Sequence, residues 1–150
     1  MSLTSAQAAA LKTAIQGDAT VAAMVTAHDW PGIAANYNAP SSPSVFAWNN
    51  NVRADYIISA IVPADLAALT VQQTMGLLAI LSAGFVDASN ANVQTWFTTL
   101  FNGKATTLAQ LTTAGQTLVT KFQALFTTSN VCSLYGYQLS NLDVQQAMGF

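Results

Sequence analysis

Residues 37–51 read YNAPSSPSVFAWNNN. Two prolines and three serines lead into Val45-Phe46-Ala47-Trp48, and three asparagines close the stretch. Pro40 and Pro43 prevent the preceding helix from continuing and favour an extended backbone. The tetrad then alternates as a strand does, with Val45 and Ala47 on one side and Phe46 and Trp48 on the other. Its expected mate is VCSLYGYQL at 131–139, the other segment rich in aromatic and branched residues. A two-stranded pairing of about 45–48 with 131–135 is therefore predicted. Its aromatic side is expected either to cap the core or to face a neighbouring subunit.

Outward from this stretch the chain reads as helix. Ala8, Leu11 and Ile15 share one face of a helix over 5–16 that ends at Gly17. Asp18 opens a short helix with Val21, Met24 and Val25 on its apolar face. Asp29 precedes Trp30-Pro31, and Trp30, Ile33, Ala34 and Tyr37 recur at i, i+3, i+4 and i+7. Residues 52–61 read as helix stopped near Pro63. Thr70 with Gln73 forms a capping-box pattern before the apolar run to Gly84, and Ser89 or Asn90 caps a helix carrying Val93, Phe97 and Leu100. Thr107 with Gln110 reads as a second box, opening a long helix to about Phe126 with Leu111, Leu118, Phe122 and Leu125 along one seam. Ser140 with Asp143 caps a short last helix. The expected fold is mainly α: a compact bundle of about six to eight short helices with a minor β element. Length favours one domain over residues 1–150, with a proline-rich loop at 38–51 and an extended terminal tail as options.

Composition narrows the function. Of the 150 residues, 52% are apolar and 7% charged, against roughly 25% charged in an ordinary soluble domain. All six acids are Asp, and Lys12, Arg53, Lys104 and Lys121 are the only bases. Thr, Ser, Gln and Asn must therefore make the polar surface. With a net charge of −2, self-repulsion is weak and association is easy, which favours a subunit of an assembly. Four scattered bases do not make a phosphate-binding surface, so specific nucleic-acid binding is not expected. The opening MSLTSAQAAALK is not of secretory type. The most apolar run, Met75–Val86, spans 12 residues, too few for a bilayer, and reads as a buried helix. A protein made in the cytoplasm, with no membrane partner, is expected.

The search for chemistry yields little. His28 is the single histidine and reads as an exposed or capping residue, since no nucleophile accompanies it. Asp18, Asp29 and Asp143 account for themselves as helix-start residues. One Cys, one His and dispersed Asp do not form a metal cluster, and glycines 76, 84 and 103 stand singly rather than in a phosphate loop. Cys132 reads as a small buried hydrophobe. No catalytic, cofactor or metal site is expected, and an enzyme is the poorest candidate.

Five segments resemble a family of small tailed-bacteriophage virion proteins: LTSAQAAALKTAIQGD (3–18), IAANYNAPSSPSVFAW (33–48), SNANVQTWFTTLF (89–101), KFQALFTTS (121–129) and YGYQLSNLDVQQAM (135–148). The matching motifs are the Leu-Thr start, the Tyr-Asn step, the Pro-x-x-Pro loop with its aromatic-Trp strand, Lys-x-x-x-Leu-Phe, Gly-x-x-Leu-Ser and the closing Asp-Val helix. The chain departs from the family in having Gln and Thr where relatives carry Arg and Glu. The resemblance implies a head–tail connector (adaptor) of the virion neck, synthesised in the host bacterial cytoplasm. Such a subunit forms a homo-oligomeric ring that contacts the portal protein above and tail-side proteins below. On this reading Phe46, Trp48, Tyr135, Tyr137, Met148 and Phe150 are the candidate interface residues. Two other readings stand beside it: another virion part, such as a tail terminator or capsid decoration protein, and a non-enzymatic helical binding module.

Overall fold

A computed structural model describes residues 2–150. In chain order it contains α1 (Ser5–Gly17), α2 (Ala22–Thr26), α3 (Trp30–Asn38), β1 (Phe46–Trp48), β2 (Val52–Arg53), α4 (Ala54–Ser59), α5 (Pro63–Ala67) and α6 (Val71–Leu81). It continues with β3 (Phe85–Val86), α7 (Ala91–Leu100), α8 (Ala105–Gly115), β4 (Gln116–Leu118), α9 (Lys121–Ala124), β5 (Thr127–Thr128), β6 (Val131–Cys132) and α10 (Asn141–Met148). The fold is mainly α with short antiparallel β pairs, as the sequence predicts, although the described residues hold ten helices rather than six to eight. The described residues group into two compact units. One comprises the chain up to Val45 together with Leu118–Phe150; the other is Phe46–Thr117.

The first unit is built on α1, α3, α9 and α10. Its core holds Leu11 and Ile15 from α1, Ile33 and Tyr37 from α3, Phe122 from α9 and Val144 from α10. Local capping starts each of these helices. Thr4 and Gln7 form a reciprocal capping box at α1, and Thr120 and Gln123 form another at α9. The Asp29 carboxylate accepts the Gly32 N–H at 3.0 Å to begin α3, and Ser140 with Asp143 begins α10. Asn38, the last residue of α3, clamps a distant segment. Its amide nitrogen donates to the Leu139 carbonyl at 2.8 Å and its amide oxygen accepts the Leu139 N–H at 2.9 Å. The Tyr-Asn step and the Gly-x-x-Leu-Ser step thus meet through one side chain.

The second unit buries Val52, Ile57, Leu77, Leu81, Val86, Phe97, Phe101 and Leu111. Thr70 and Gln73 form the expected capping box of α6, and the Asn90 side chain, not Ser89, caps α7. Val52 and Arg53 are not helical: Val52 pairs with Val86 and Arg53 with Phe85, so the helix starts only at Ala54.

Three further expectations are corrected. The mate of β1 is β4, not the 131–135 segment. Residues 131–132 instead fold back on Thr127 and Thr128 across a two-residue turn, Ser129-Asn130, with φ of 50° and 62°. Such positive-φ turns match strand twist, so the local hairpin closes with far less chain entropy than a long-range pairing. The long helix from Thr107 to Phe126 is also broken. At Gly115 an added Cβ would lie 3.0 Å from the Trp48 ring and 3.1 Å from the Ala88 methyl, so the backbone is drawn against these two groups. The chain then runs extended through β4 and restarts as α9 at the Thr120 box. Leu118 and Leu125 are consequently exposed rather than part of a seam. Finally, Thr107 is not a cap. Helix α8 begins at Ala105 with no side-chain cap, and the fully buried Thr107 hydroxyl accepts the Val62 N–H (3.1 Å) and donates to Asp65 (2.7 Å).

The opening stretch is tied down along its length. The Ser41 N–H donates to the Val119 carbonyl, the Lys121 N–H to the Ala39 carbonyl and the Val119 N–H to the Val45 carbonyl, at 3.0, 2.9 and 3.0 Å. The Ser41 hydroxyl in turn accepts the Val45 N–H at 2.8 Å. A loop with this many backbone partners is not a free arm.

Candidate functional site: exposed apolar faces and a cavity

The six candidate interface residues have different fates. In β1, Ala47 is fully buried and Phe46 points out, 46% exposed. Trp48 is half-buried and packs on the core of the second unit. Tyr135 is half-buried. The Tyr137 ring lies 5.8 Å from Phe122, and its hydroxyl is held above the ordinary tyrosine range by burial first and by Asp143 second. Met148 packs on the first unit's core, and its carbonyl accepts from the Lys12 ammonium at 3.4 Å. Phe150 is 72% exposed, with its ring 5.0 Å from His28 and 5.1 Å from Trp30. Phe46 and Phe150 therefore present apolar surface, whereas Trp48, Tyr137 and Met148 are largely committed to packing.

The ionisable groups are engaged locally. Asp18 accepts the Thr20 N–H (2.9 Å) and hydroxyl (2.6 Å), which lower its pKa. Its charge also acts on Tyr37, whose hydroxyl is pushed up to about 12, by burial first and then by that neighbouring carboxylate. The Lys121 ammonium donates to the Asn36 side-chain oxygen at 2.9 Å. Asp65 is held below its ordinary range by the Thr107 hydroxyl and then by Lys104, whose ammonium is 3.2 Å away. His28 is exposed, with a positive φ of 54°, against the Trp30 ring at 5.2 Å. The Cys132 thiol contacts the Gln123 carbonyl at 3.5 Å. Among the described residues no group of three His, Cys, Asp or Glu side chains is placed to hold a metal ion.

Helix α6 differs most from its reading as a buried element. Leu77 and Leu81 face the core, but Val71, Met75 and Leu78 are 79%, 66% and 57% exposed. They stand at i, i+4 and i+7, the spacing of a single helical stripe. No charged residue occurs between Asp65 and Asp87, so nothing in the sequence around this stripe opposes apolar contact. The run is apolar on two faces, and periodicity cannot say which faces a core. No described helix is long and apolar enough to cross a membrane.

The surface hydroxyls deepen this apolar character. Thr13, Thr26, Thr74, Thr98, Thr99, Thr112 and Thr113 each donate to the carbonyl four residues earlier in their own helix. A threonine bonded in this way has used its one hydroxyl hydrogen, leaving a methyl group and oxygen lone pairs. Counting threonine as plainly polar therefore overstates how wet this surface is.

The second unit also encloses a partly open cavity of about 180 Å³, lined by Trp48, Ile57, Val86, Phe97, Leu108 and Leu111 among others. Gln94, Thr98 and Thr112 supply its polar lining. Trp48 forms one wall because Gly115 and Ala88 are small enough to let its ring approach. The sequence identified Trp48 as a residue of interest but gave no sign of the cavity, whose walls come from five separate segments of the chain. Comparisons with protein-family models, with curated proteins and with solved structures find no match.

Proposed function

We propose that this chain is a structural subunit of a tailed-bacteriophage virion, a head–tail connector (adaptor) protein that forms a homo-oligomeric ring between portal and tail. The observation that carries the reading is the exposed, uncharged stripe Val71–Met75–Leu78 on α6. A contiguous apolar patch marks an interaction site, and interfaces that never dissolve tolerate apolar residues as a core does. The resemblance to virion proteins at both ends of the chain supports the virion as the setting. The clamp between Asn38 and Leu139 joins two of the motifs behind that resemblance, consistent with a structural role for them.

Native mass spectrometry and sedimentation velocity of the purified chain test the assembly. The wild-type chain is expected to form a closed oligomer as concentration rises. Met75→Asp and Leu78→Asp are each expected to return it to monomer with an unchanged circular dichroism spectrum, since both side chains are solvent-facing. Monomeric wild type at every concentration, or oligomers indifferent to both changes, would contradict the role assigned to α6.

A further inference from the structure

We propose that the cavity of the second unit is a binding site for a small neutral aromatic molecule, a single ring carrying one O–H or N–H donor. Size sets the first limit: about 180 Å³ holds one six-membered ring and no drug-sized ligand. Wall chemistry sets the second, since Trp48, Phe97, Ile57, Val86, Leu108 and Leu111 offer aromatic and aliphatic surface.

The polar lining sets the third. The Thr98 hydroxyl donates to the Gln94 carbonyl of its own helix at 2.8 Å, and the Thr112 hydroxyl to the Leu108 carbonyl at 2.9 Å. Neither retains a hydrogen, so toward a ligand each is an acceptor only. The Gln94 side-chain nitrogen donates one hydrogen to the Ala88 carbonyl at 2.7 Å, leaving the amide oxygen as an acceptor and one N–H as a donor. None of the lining residues is ionisable at neutral pH, so a charged ligand would lose hydration without gaining a counter-ion. A lining rich in acceptors and without a cation, beside an apolar ring-sized space, selects a phenol- or aniline-like molecule over a benzoate or a sugar. This site does not depend on the virion reading, and its occupant needs no assembly.

The test is a titration of the full chain with phenol, benzene and benzoate, followed through the Trp48 indole N–H and the Leu108 and Leu111 methyl resonances. Saturable shifts are expected with phenol and benzene, with phenol tighter by roughly five-fold for its hydrogen bond. Benzoate is expected to leave all three resonances unmoved. Ala88→Leu, which crowds the wall against Trp48, is expected to abolish binding. Thr98→Val, at a solvent-exposed helix position where misfolding is not at issue, is expected to reduce the preference for phenol while benzene still binds. Absence of saturable shifts with either neutral ring, or benzoate binding as tightly as phenol, would overturn the proposal. So would a folded Ala88→Leu protein that binds phenol unchanged.

Discussion

Thr107 shows how a single hydroxyl is assigned its role by its surroundings. In sequence, Thr107 and Gln110 have the spacing of a helix-start box, but the nearest strong demand for a hydroxyl is inside the second unit. There the Val62 N–H needs an acceptor and the Asp65 carboxylate needs a donor. Thr107→Val keeps the shape and removes both bonds, and is expected to cost about 1–3 kcal/mol in urea denaturation, with Thr107→Ser recovering most of it. Tyr37 makes a second residue-scale prediction. Its hydroxyl is pushed from an ordinary value of 10.0 up to about 12 in the folded chain, by burial and then by Asp18. A raised folded-state pKa means the stabilising contribution is complete below the unfolded value and disappears as pH rises through the folded one. The urea midpoint is therefore expected to fall between about pH 10 and pH 12, and Tyr37→Phe to remove that part of the decline. A wild-type curve unchanged by Tyr37→Phe would refute the coupling.

At the scale of elements, some helix starts are legible in sequence, while others, such as those of α2, α4 and α8, and several ends are not. Thr70, Asp29 and Ser140 cap where their spacing said they would, because a cap is a local bargain between one side chain and two or three N–H groups. The break after Gly115 was not legible, because it depends on Trp48 and Ala88, which are distant in sequence. Strand pairing erred for the same reason in reverse: a local hairpin at Ser129-Asn130 displaced the long-range partner expected for β1. That hairpin carries non-glycine residues at two positive-φ positions, where Asn-Gly is the preferred pair. The double change Ser129→Asn with Asn130→Gly is expected to raise stability by roughly 0.5–1 kcal/mol, measurable as a higher urea midpoint with an unchanged slope. A loss of stability would mean that the turn is held by side-chain contacts rather than by its backbone type.

Over the chain as a whole, the low charge leaves little self-repulsion between copies. Few charges, hydroxyls bonded back into their own helices and an exposed apolar stripe on α6 all favour contact over isolation. Which face of α6 stays exposed, and that a cavity opens beside Trp48, follow from packing within the second unit and not from hydrophobic pattern. Of the candidate interface residues, Phe46 and Phe150 are exposed, while Trp48 forms part of the cavity wall. Quantitative mass spectrometry of gradient-purified phage particles is the decisive check on the proposed ring in the virion neck. The protein is expected in a small fixed number of copies per particle, that of a single closed ring. Its absence from the particles, or its presence in hundreds of copies as a capsid decoration protein would be, would contradict that proposal.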